Sequence, residues 1–230
     1  MGEHELQRLI AETLRPLLAR LLTSQRKVGH VGADTFVYWV DGEPGKRVAP
    51  DVYVLPGIEQ GIVVPSWRLW EIGVKPSFAF EVVSSDALKD YEDAPVLYGE
   101  IGVAELVVFD PHAWLAPLRA HESRQRVRWQ VFRRVKGRGF VRVESSQADR
   151  IASRSLGCFL RVVGEGAEMR IRVGLGPMGD ELFPTEAEAE RERAEAERER
   201  ADAALARVAA LEAELAAMRA PKKRSTKPRG

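Results

Sequence analysis

The sequence predicts an α/β (α+β) protein in which a mixed β-sheet is flanked by helices and followed by a long C-terminal helix. Three observations support this fold class. Segments with the two-residue periodicity of strands alternate with segments of helical periodicity. One apolar strand is followed by a helix and then by a second apolar strand, an order that indicates a parallel pair. A stretch rich in Ala, Glu and Arg after residue 184 has no strand character.

Length and composition are those of a soluble protein with one main domain. The chain has 230 residues, of which 45% are hydrophobic and 30% charged, and this is ordinary for a globular protein. No apolar run is long enough to cross a membrane, and the N-terminus lacks the features of a signal peptide. The single cysteine, Cys158, allows no internal disulfide. We therefore expect a cytoplasmic protein with no membrane association.

The domain is predicted to begin with a helix and to continue with strands. Apolar side chains recur every three or four residues over His4–Leu22, which predicts an amphipathic helix that Pro16 kinks or divides. Phe36–Val40 and Val48–Leu55 have strand character. Because the turn residues Asp41–Gly45 lie between them, we expect the two strands to form a hairpin.

The centre of the domain is predicted to be a strand–helix–strand unit. Ser77–Val83 and Glu105–Phe109 are strongly apolar, and Asp86–Ile101 between them is helical in pattern. Because the return to the second strand is short, we expect the two strands to be parallel. Two antiparallel hairpins are predicted further on, the first around Lys136–Gly139 and the second around Gly164–Gly166.

A separate charged helix is predicted over residues 185–220, after a domain that covers residues 1–184. Thr185 and Glu188 have the spacing of a capping box. The second half of the helix carries a heptad seam of Ala201, Ala204, Val208, Leu211, Leu215 and Met218. The seam is short. It is consistent with a coiled coil that joins two copies into a homodimer, and equally with a solvated single helix.

Charge is distributed unevenly along the chain. The net charge of +1 combines −4 over residues 186–219 and +5 over residues 221–230 with a neutral remainder. The composition of the domain therefore gives no indication of a nucleic-acid surface. The basic tail, 221–230, would attract nucleic acid without sequence preference, or it is a disordered, solubilising end.

Two of the predicted strands each carry a lone carboxylate. Asp51 follows Pro50, and strand alternation places Glu81 on the same face as Ala79 and Val83. If the strands are neighbours, the two carboxylates converge, and they repel each other unless one is protonated or a cation lies between them. Mg²⁺ or Mn²⁺ there would polarise a phosphodiester. The spacing alone also fits an Asp51 that ends a turn and a Glu81 that caps a neighbour at the sheet edge.

Several short motifs occur in order between residues 50 and 111. They are Pro50-Asp51, Phe80-Glu81-Val82-Val83-Ser84, Asp90-Tyr91-Glu92-Asp93-Ala94-Pro95 and Glu105-Leu106-Val107-Val108-Phe109-Asp110-Pro111. Together they resemble the Uma-two family of bacterial restriction endonucleases, in the PD-(D/E)XK nuclease superfamily. The resemblance implies a restriction-endonuclease-like sheet flanked by helices, and metal-dependent hydrolysis of DNA phosphodiester bonds.

The resemblance also implies roles for individual residues. Asp51 and Glu81 would be catalytic ligands of Mg²⁺ (or Mn²⁺), with the backbone carbonyl of Val82 as a third ligand. Val83 stands where the family motif has a lysine. Lys89 on the next helix is then the candidate for the ammonium that stabilises developing charge, although most lysines are solvated.

Two functions are therefore compatible with the sequence. The first is a metal-dependent endonuclease acting on DNA. The second is a catalytically inactive nuclease-fold protein that acts as a binding or assembly module through its C-terminal helix. The missing motif lysine is the feature that separates them.

Overall fold

The computed structural model describes residues 3–84, 89–113 and 126–219. The chain divides into two units, Met1–Phe183 and Pro184–Gly230. The first unit contains the sheets, and the second contains one long described helix. The predicted basic tail, 221–230, lies outside the described residues.

The first unit begins with a long helix and short strands, and its second half is mainly β-structure. Its elements as far as the centre of the chain are α1 (Glu3–Ser24), β1 (Gly29–Gly32), β2 (Phe36–Tyr38), β3 (Arg47–Val48), β4 (Val52–Pro56), β5 (Ser66–Arg68), α2 (Leu69–Ile72), β6 (Phe78–Val82), a π-helix (Lys89–Asp93), α3 (Ala94–Ile101) and β7 (Glu105–Phe109). The remaining elements are β8 (Trp129–Val135), β9 (Gly139–Ser146), β10 (Arg150–Ser153), β11 (Cys158–Val163), a 3₁₀ turn (Gly166–Glu168), β12 (Arg170–Leu175) and β13 (Glu181–Leu182). The second unit contributes α4 (Glu186–Arg219).

A six-stranded mixed sheet forms the centre of the first unit. Its strand order is β1-β4-β6-β7-β8-β9. β6 and β7 are parallel, and the other neighbouring strands are antiparallel. The predicted parallel pair is therefore confirmed, with α3 in the connection between its strands. The predicted α/β (α+β) class, with a mixed sheet, flanking helices and a long C-terminal helix, is also confirmed.

Each face of this sheet is covered by a helix and a smaller sheet. On one face, α1 and the sheet β10-β11-β12-β13 enclose a core in which Leu14, Leu18 and Phe80 are fully buried. On the other face, α3 and the sheet β3-β2-β5 enclose a second core around Tyr53 and Tyr98. Alternation along β6 supplies both cores, because successive side chains point to opposite faces.

Helix α1 continues without a break through Pro16. A proline removes one helical hydrogen bond, but the residues after it, Leu17 and Leu18, are buried in the core. Burial of the apolar face is the main source of stability for a helix in a protein. Packing against the sheet therefore keeps α1 in one piece.

The predicted antiparallel pairing of Phe36–Val40 with the strand that begins at Val48 is correct only at its start. The prediction that Val48–Leu55 is one continuous strand is wrong. β2 pairs with β3 over only two residues, and β4 then joins the main sheet between β1 and β6. The strand is interrupted at Pro50, because proline has no N–H with which to continue the hydrogen-bond ladder of a sheet. The Pro50 carbonyl instead accepts a hydrogen bond from the Asp34 N–H at 2.9 Å.

The later hairpins and the helix cap agree with the predictions. β8 pairs with β9 and β11 with β12, both antiparallel, whereas β10 and β13 were not predicted. The Thr185 N–H donates to Glu188 Oε2 at 2.7 Å, and the Glu188 N–H donates to Thr185 Oγ1 at 3.2 Å, which confirms the capping box. No helix in the described ranges is long and apolar enough to span a membrane.

Candidate active site

The main sheet brings Asp51 and Glu81 together. β4 runs antiparallel to β6, with Val52 opposite Phe80, so Asp51 just before β4 lies near Glu81 in β6. If the register continued, Pro50 would face Val82. The Val82 N–H donates instead to Asp51 Oδ2 at 2.7 Å. The aspartate carboxylate thus replaces the backbone acceptor of the interrupted strand.

Two neutral side chains orient the pair from opposite faces of the sheet. Gln7 of α1 donates from Nε2 to Asp51 Oδ1 at 2.8 Å. The Tyr98 hydroxyl, on α3, donates a very short hydrogen bond to Glu81 Oε1. These contacts fix both carboxyl groups without adding a positive charge.

The protonation of the pair is strongly perturbed. Burial is the main cause that raises the pKa of Asp51 from 3.8 to about 6. Burial first, and then the charge of Asp51, raises the pKa of Glu81 well above its ordinary value. The two carboxyl groups share a hydrogen bond. The raised pKa values fit the general rule that two adjacent carboxylates cannot both ionise easily without a cation.

No protein cation neutralises this pair within the described part of the chain. No ion pair there involves Asp51 or Glu81, and no group of three His, Cys, Asp or Glu side chains gathers closely enough to hold a metal. Two carboxylates fit Mg²⁺ nevertheless, because this ion keeps several waters and binds protein through one or two carboxylates together with substrate phosphates.

Asp90 is a buried acid next to the pair. Its Oδ2 accepts hydrogen bonds from the Ser84 N–H at 2.7 Å and from the Ser84 hydroxyl at 2.8 Å, and its charge contributes to raising the pKa values of Asp51 and Glu81. In a run of charged residues, a solvated side chain is the usual expectation. Asp90 departs from it because it holds the segment that follows β6.

The position of the motif lysine is apolar and closed. Val83 is 2% exposed and packs in the core that contains Tyr98. The backbone of Lys89 begins the π-helix before α3, but its side chain lies outside the described atoms. The proposed proximity of the Lys89 ammonium to Asp51 and Glu81 therefore stays a prediction.

The carboxylates open into a cavity of about 920 Å³. Its wall includes three arginines, Arg8, Arg15 and Arg47, and three further acids, Glu12, Asp34 and Asp90. A space of this volume is in the range of ordinary ligand sites. A cavity lined by both acids and arginines suits a ligand that brings both a metal and an anionic group.

Sequence reasoning missed two residues of this site. Gln7 is separated from Asp51 by 44 residues, and no spacing rule links them. Tyr98 is buried, and helical periodicity does not show that the hydroxyl of a buried tyrosine meets Glu81. Gln7 is a polar residue one turn before the buried apolar residues of α1, and this position was the only feature of the sequence that pointed to it.

Comparison with known proteins identifies the family. The family profile described as "Uma2: Putative restriction endonuclease" matches residues 2–161, which is most of the chain. The chain therefore belongs to the Uma2 family. The predicted resemblance to this family is confirmed, and the match includes Asp51, Glu81 and the helices that contact them.

A solved structure that is similar to this chain has low sequence identity to it. It is the crystal structure of "a putative nuclease belonging to DUF820 from Anabaena variabilis ATCC 29413", with 12% sequence identity and a TM-score of 0.43. The similarity covers 68% of this chain and 75% of that chain. No curated protein matches the sequence.

Proposed function

We propose that this protein is a divalent-metal-dependent endonuclease of the PD-(D/E)XK type that hydrolyses DNA phosphodiester bonds. The observation that supports this most strongly is the convergence of Asp51 and Glu81 in a cavity, with raised pKa values and no described protein cation between them. A strongly perturbed carboxylate pair in a cleft is a typical functional site. Membership of the Uma2 family supports a nuclease activity.

Asp51 and Glu81 are the proposed ligands of Mg²⁺ or Mn²⁺, and the Val82 carbonyl is the third. Both backbone groups of a strand residue point to the same neighbour, so the Val82 carbonyl faces the side on which its N–H meets Asp51. A continued β4 would place Pro50 there, and proline has no N–H to donate. Pro50 thus leaves the carbonyl without that ladder partner.

The remaining contacts position the ligands. Gln7 and the Val82 N–H each donate to one oxygen of Asp51, and Tyr98 donates to one oxygen of Glu81, so both carboxyl groups are held in place where they line the cavity. Glu81 would hold the ion as a carboxylate, together with Asp51. A bound ion would supply polarisation of a phosphoryl oxygen and a lower pKa for a coordinated water.

Lys89 is the proposed electrostatic helper in place of the motif lysine. Its backbone lies one residue before Asp90, which lines the same cavity. We expect Lys89→Ala to lower the rate of cleavage and Lys89→Arg to retain part of it, because both side chains carry a charge but differ in shape. Equal rates in wild type and Lys89→Ala would remove this assignment.

Helix α4 is the proposed dimerisation element. The large apolar side chains of its heptad seam are exposed in a single chain, and they are Val208, Leu211, Leu215 and Met218. A second copy could cover this seam as a short coiled coil, and two copies would cut both strands of a duplex. Sedimentation should show a dimer for the full chain and a monomer for a chain ending at Pro184. A monomeric full chain would remove the homodimer.

The experiment that tests the function is cleavage of plasmid and single-stranded DNA with added Mg²⁺ or Mn²⁺. We expect cleavage by wild type and none by Asp51→Ala or Glu81→Ala. Asp180→Ala is the matched control, because its carboxylate lies on the surface outside the cavity. If wild type binds the metal but does not cleave, the inactive binding or assembly module becomes the better description.

A further inference from the structure

The small sheet presents an aromatic and basic surface beside the carboxylates. In β2, Val37 is fully buried, and alternation places Phe36 and Tyr38 on the opposite face. Arg47 of β3 lies directly across from Tyr38. Its guanidinium is 4.8 Å from the centre of the Phe36 ring and donates to the Tyr38 hydroxyl at 3.3 Å. We name Phe36, Tyr38 and Arg47 the platform.

The platform is continuous with the candidate active site. Phe36 and Arg47 line the same cavity as Asp51 and Glu81. Phe36 is 43% exposed, whereas its neighbour Val37, on the other face of the strand, is fully buried in the core. A large aromatic ring left open on a cavity wall, with an arginine held against it, is the arrangement that binds a flat, anionic ligand.

The surface beyond the platform limits what can bind there. A second hollow begins at Tyr38, and it is bordered by the acids Asp41, Glu43 and Glu71 together with Arg68. Arg68 already pairs with Glu71 at 2.9 Å. These acids repel a phosphate backbone on that side, so favourable contact with DNA is expected on the platform and towards the cavity.

The geometry favours an unpaired base over a paired one. In a duplex, the faces of each base are covered by its neighbours, and only the edges are open in the grooves. A ring such as Phe36 needs an open base face for stacking, and single strands provide it. Arg47 beside the ring supplies a positive charge for the phosphate that adjoins such a base.

We propose that the platform binds an unpaired nucleotide next to the scissile phosphate, so that the preferred substrate is DNA with a single-stranded segment. This inference rests on the proposed nuclease function. It adds the class of DNA and assigns Phe36 and Arg47 to substrate binding.

Binding without cleavage tests it directly. Fluorescence anisotropy in EDTA would compare a labelled mixed-sequence single strand with its blunt duplex. We expect tighter binding of the single strand, and a loss of about tenfold for Phe36→Ala on that strand alone, as one stacked base contributes about this much. Phe36→Leu should show the same loss, because it keeps the apolar volume and removes the ring. Thermal melts confirm that the variants are folded.

Arginine variants provide the matched comparison. Arg47→Ala should weaken binding of both DNA forms and reduce the salt dependence by about one phosphate contact. Arg20→Ala should change neither, although Arg20 also lies over a phenyl ring, 5.3 Å from the centre of Phe183, because it is outside the cavity.

Two results would overturn the inference. One is unchanged single-strand affinity in Phe36→Ala and Phe36→Leu, and the other is an equal loss on single strand and duplex. Failure of the nuclease proposal looks different. In that case wild type with Mg²⁺ leaves all DNA intact, whereas the single-strand preference and its loss in Phe36→Ala persist in EDTA.

Discussion

The parallel strands β6 and β7 carry or border acidic residues whose hydrogen-bond partners differ in charge. At β7, Glu105 accepts a hydrogen bond from Arg133 Nε at 2.5 Å, and Asp110 accepts from Arg126 Nε at 2.6 Å. Both acids are buried. At β6, Glu81 and its neighbour Asp51 receive hydrogen bonds from neutral donors, and no described side chain forms an ion pair with them.

The difference separates acids that are paired within the fold from acids that we propose bind a metal ion. Breaking a buried ion pair strongly destabilises a protein, because one charge is left without compensation. The Asp51–Glu81 pair has no positively charged partner among the described residues. Its raised pKa values reflect the cost of ionising two buried carboxyl groups there. A fold retains such a pair most readily where function needs it.

The largest contrast is expected in catalysis. Glu81→Gln should reduce the metal-dependent cleavage rate by more than the 10- to 100-fold typical of outer-shell partners of a metal. Glu105→Gln should leave the rate per folded molecule near that of wild type. The assay is plasmid cleavage, corrected for the folded fraction by circular dichroism. Equal losses in the two variants would show that the distinction between the sites is wrong.

The contrast should be reversed for stability. Glu105→Ala leaves Arg133 without its partner, and we expect a loss of about 3–5 kcal/mol in the free energy of unfolding. Glu81→Gln keeps an acceptor for Tyr98 and removes a carboxyl group that is difficult to ionise. It should therefore be neutral or stabilising in the absence of metal. Urea unfolding measures both changes, and a large destabilisation by Glu81→Gln would contradict the account.

The two tyrosines of this region provide a finer comparison. Tyr98→Phe removes the donor to Glu81 and should weaken Mn²⁺ binding by about 10- to 100-fold. Tyr91→Phe removes a donor to Asp110, 2.7 Å away in the other cluster, and should leave Mn²⁺ affinity unchanged. Calorimetry in the absence of DNA measures both affinities. A similar loss in the two variants would indicate a general effect on folding.

The smallest expected effect is on pH dependence. Because the folded pKa of Asp51 is raised from 3.8 to about 6, the folded state binds more protons than the unfolded state between these values. The stability of the metal-free protein should therefore fall as pH rises through this window. The raised pKa of Glu81 acts in the same direction.

Metal binding should have the opposite pH dependence, because a metal ion competes with protons for carboxylates whose pKa values are raised. Mn²⁺ affinity should rise as pH increases through about 6. Thermal melts with EDTA and with Mn²⁺ over this pH range would show both trends. Stability that falls with decreasing pH in EDTA would contradict the assignment of raised pKa values to the pair.

Much of the local structure followed from sequence because it depends on neighbours in the chain. Alternation placed Glu81 and Val83 on one face of β6, and the apolar strands Ser77–Val83 and Glu105–Phe109 predicted the parallel pair. The site depends on contacts between distant segments. Gln7 reaches Asp51 across 44 residues, and the hydroxyl of a buried tyrosine carries no periodic signal for its partner.

The small sheet shows the same limit. β2 finds a parallel partner in β5, which lies in a stretch without clear periodicity. β3 and β4 are separate strands because Pro50 lies between them and its carbonyl accepts a hydrogen bond from the Asp34 N–H, which is distant in sequence. A hydrophobic pattern continued across that point, so pattern alone predicted one strand.

Titration of metal-free protein with Mn²⁺ near neutral pH, in wild type and in Glu81→Gln, tests the central claim most directly. We predict one ion bound per wild-type chain, with proton release, and loss of this binding in Glu81→Gln, while Glu105→Gln binds as wild type does. No binding by wild type, or the same binding by wild type and Glu81→Gln, would contradict the claim that Asp51 and Glu81 form a metal site.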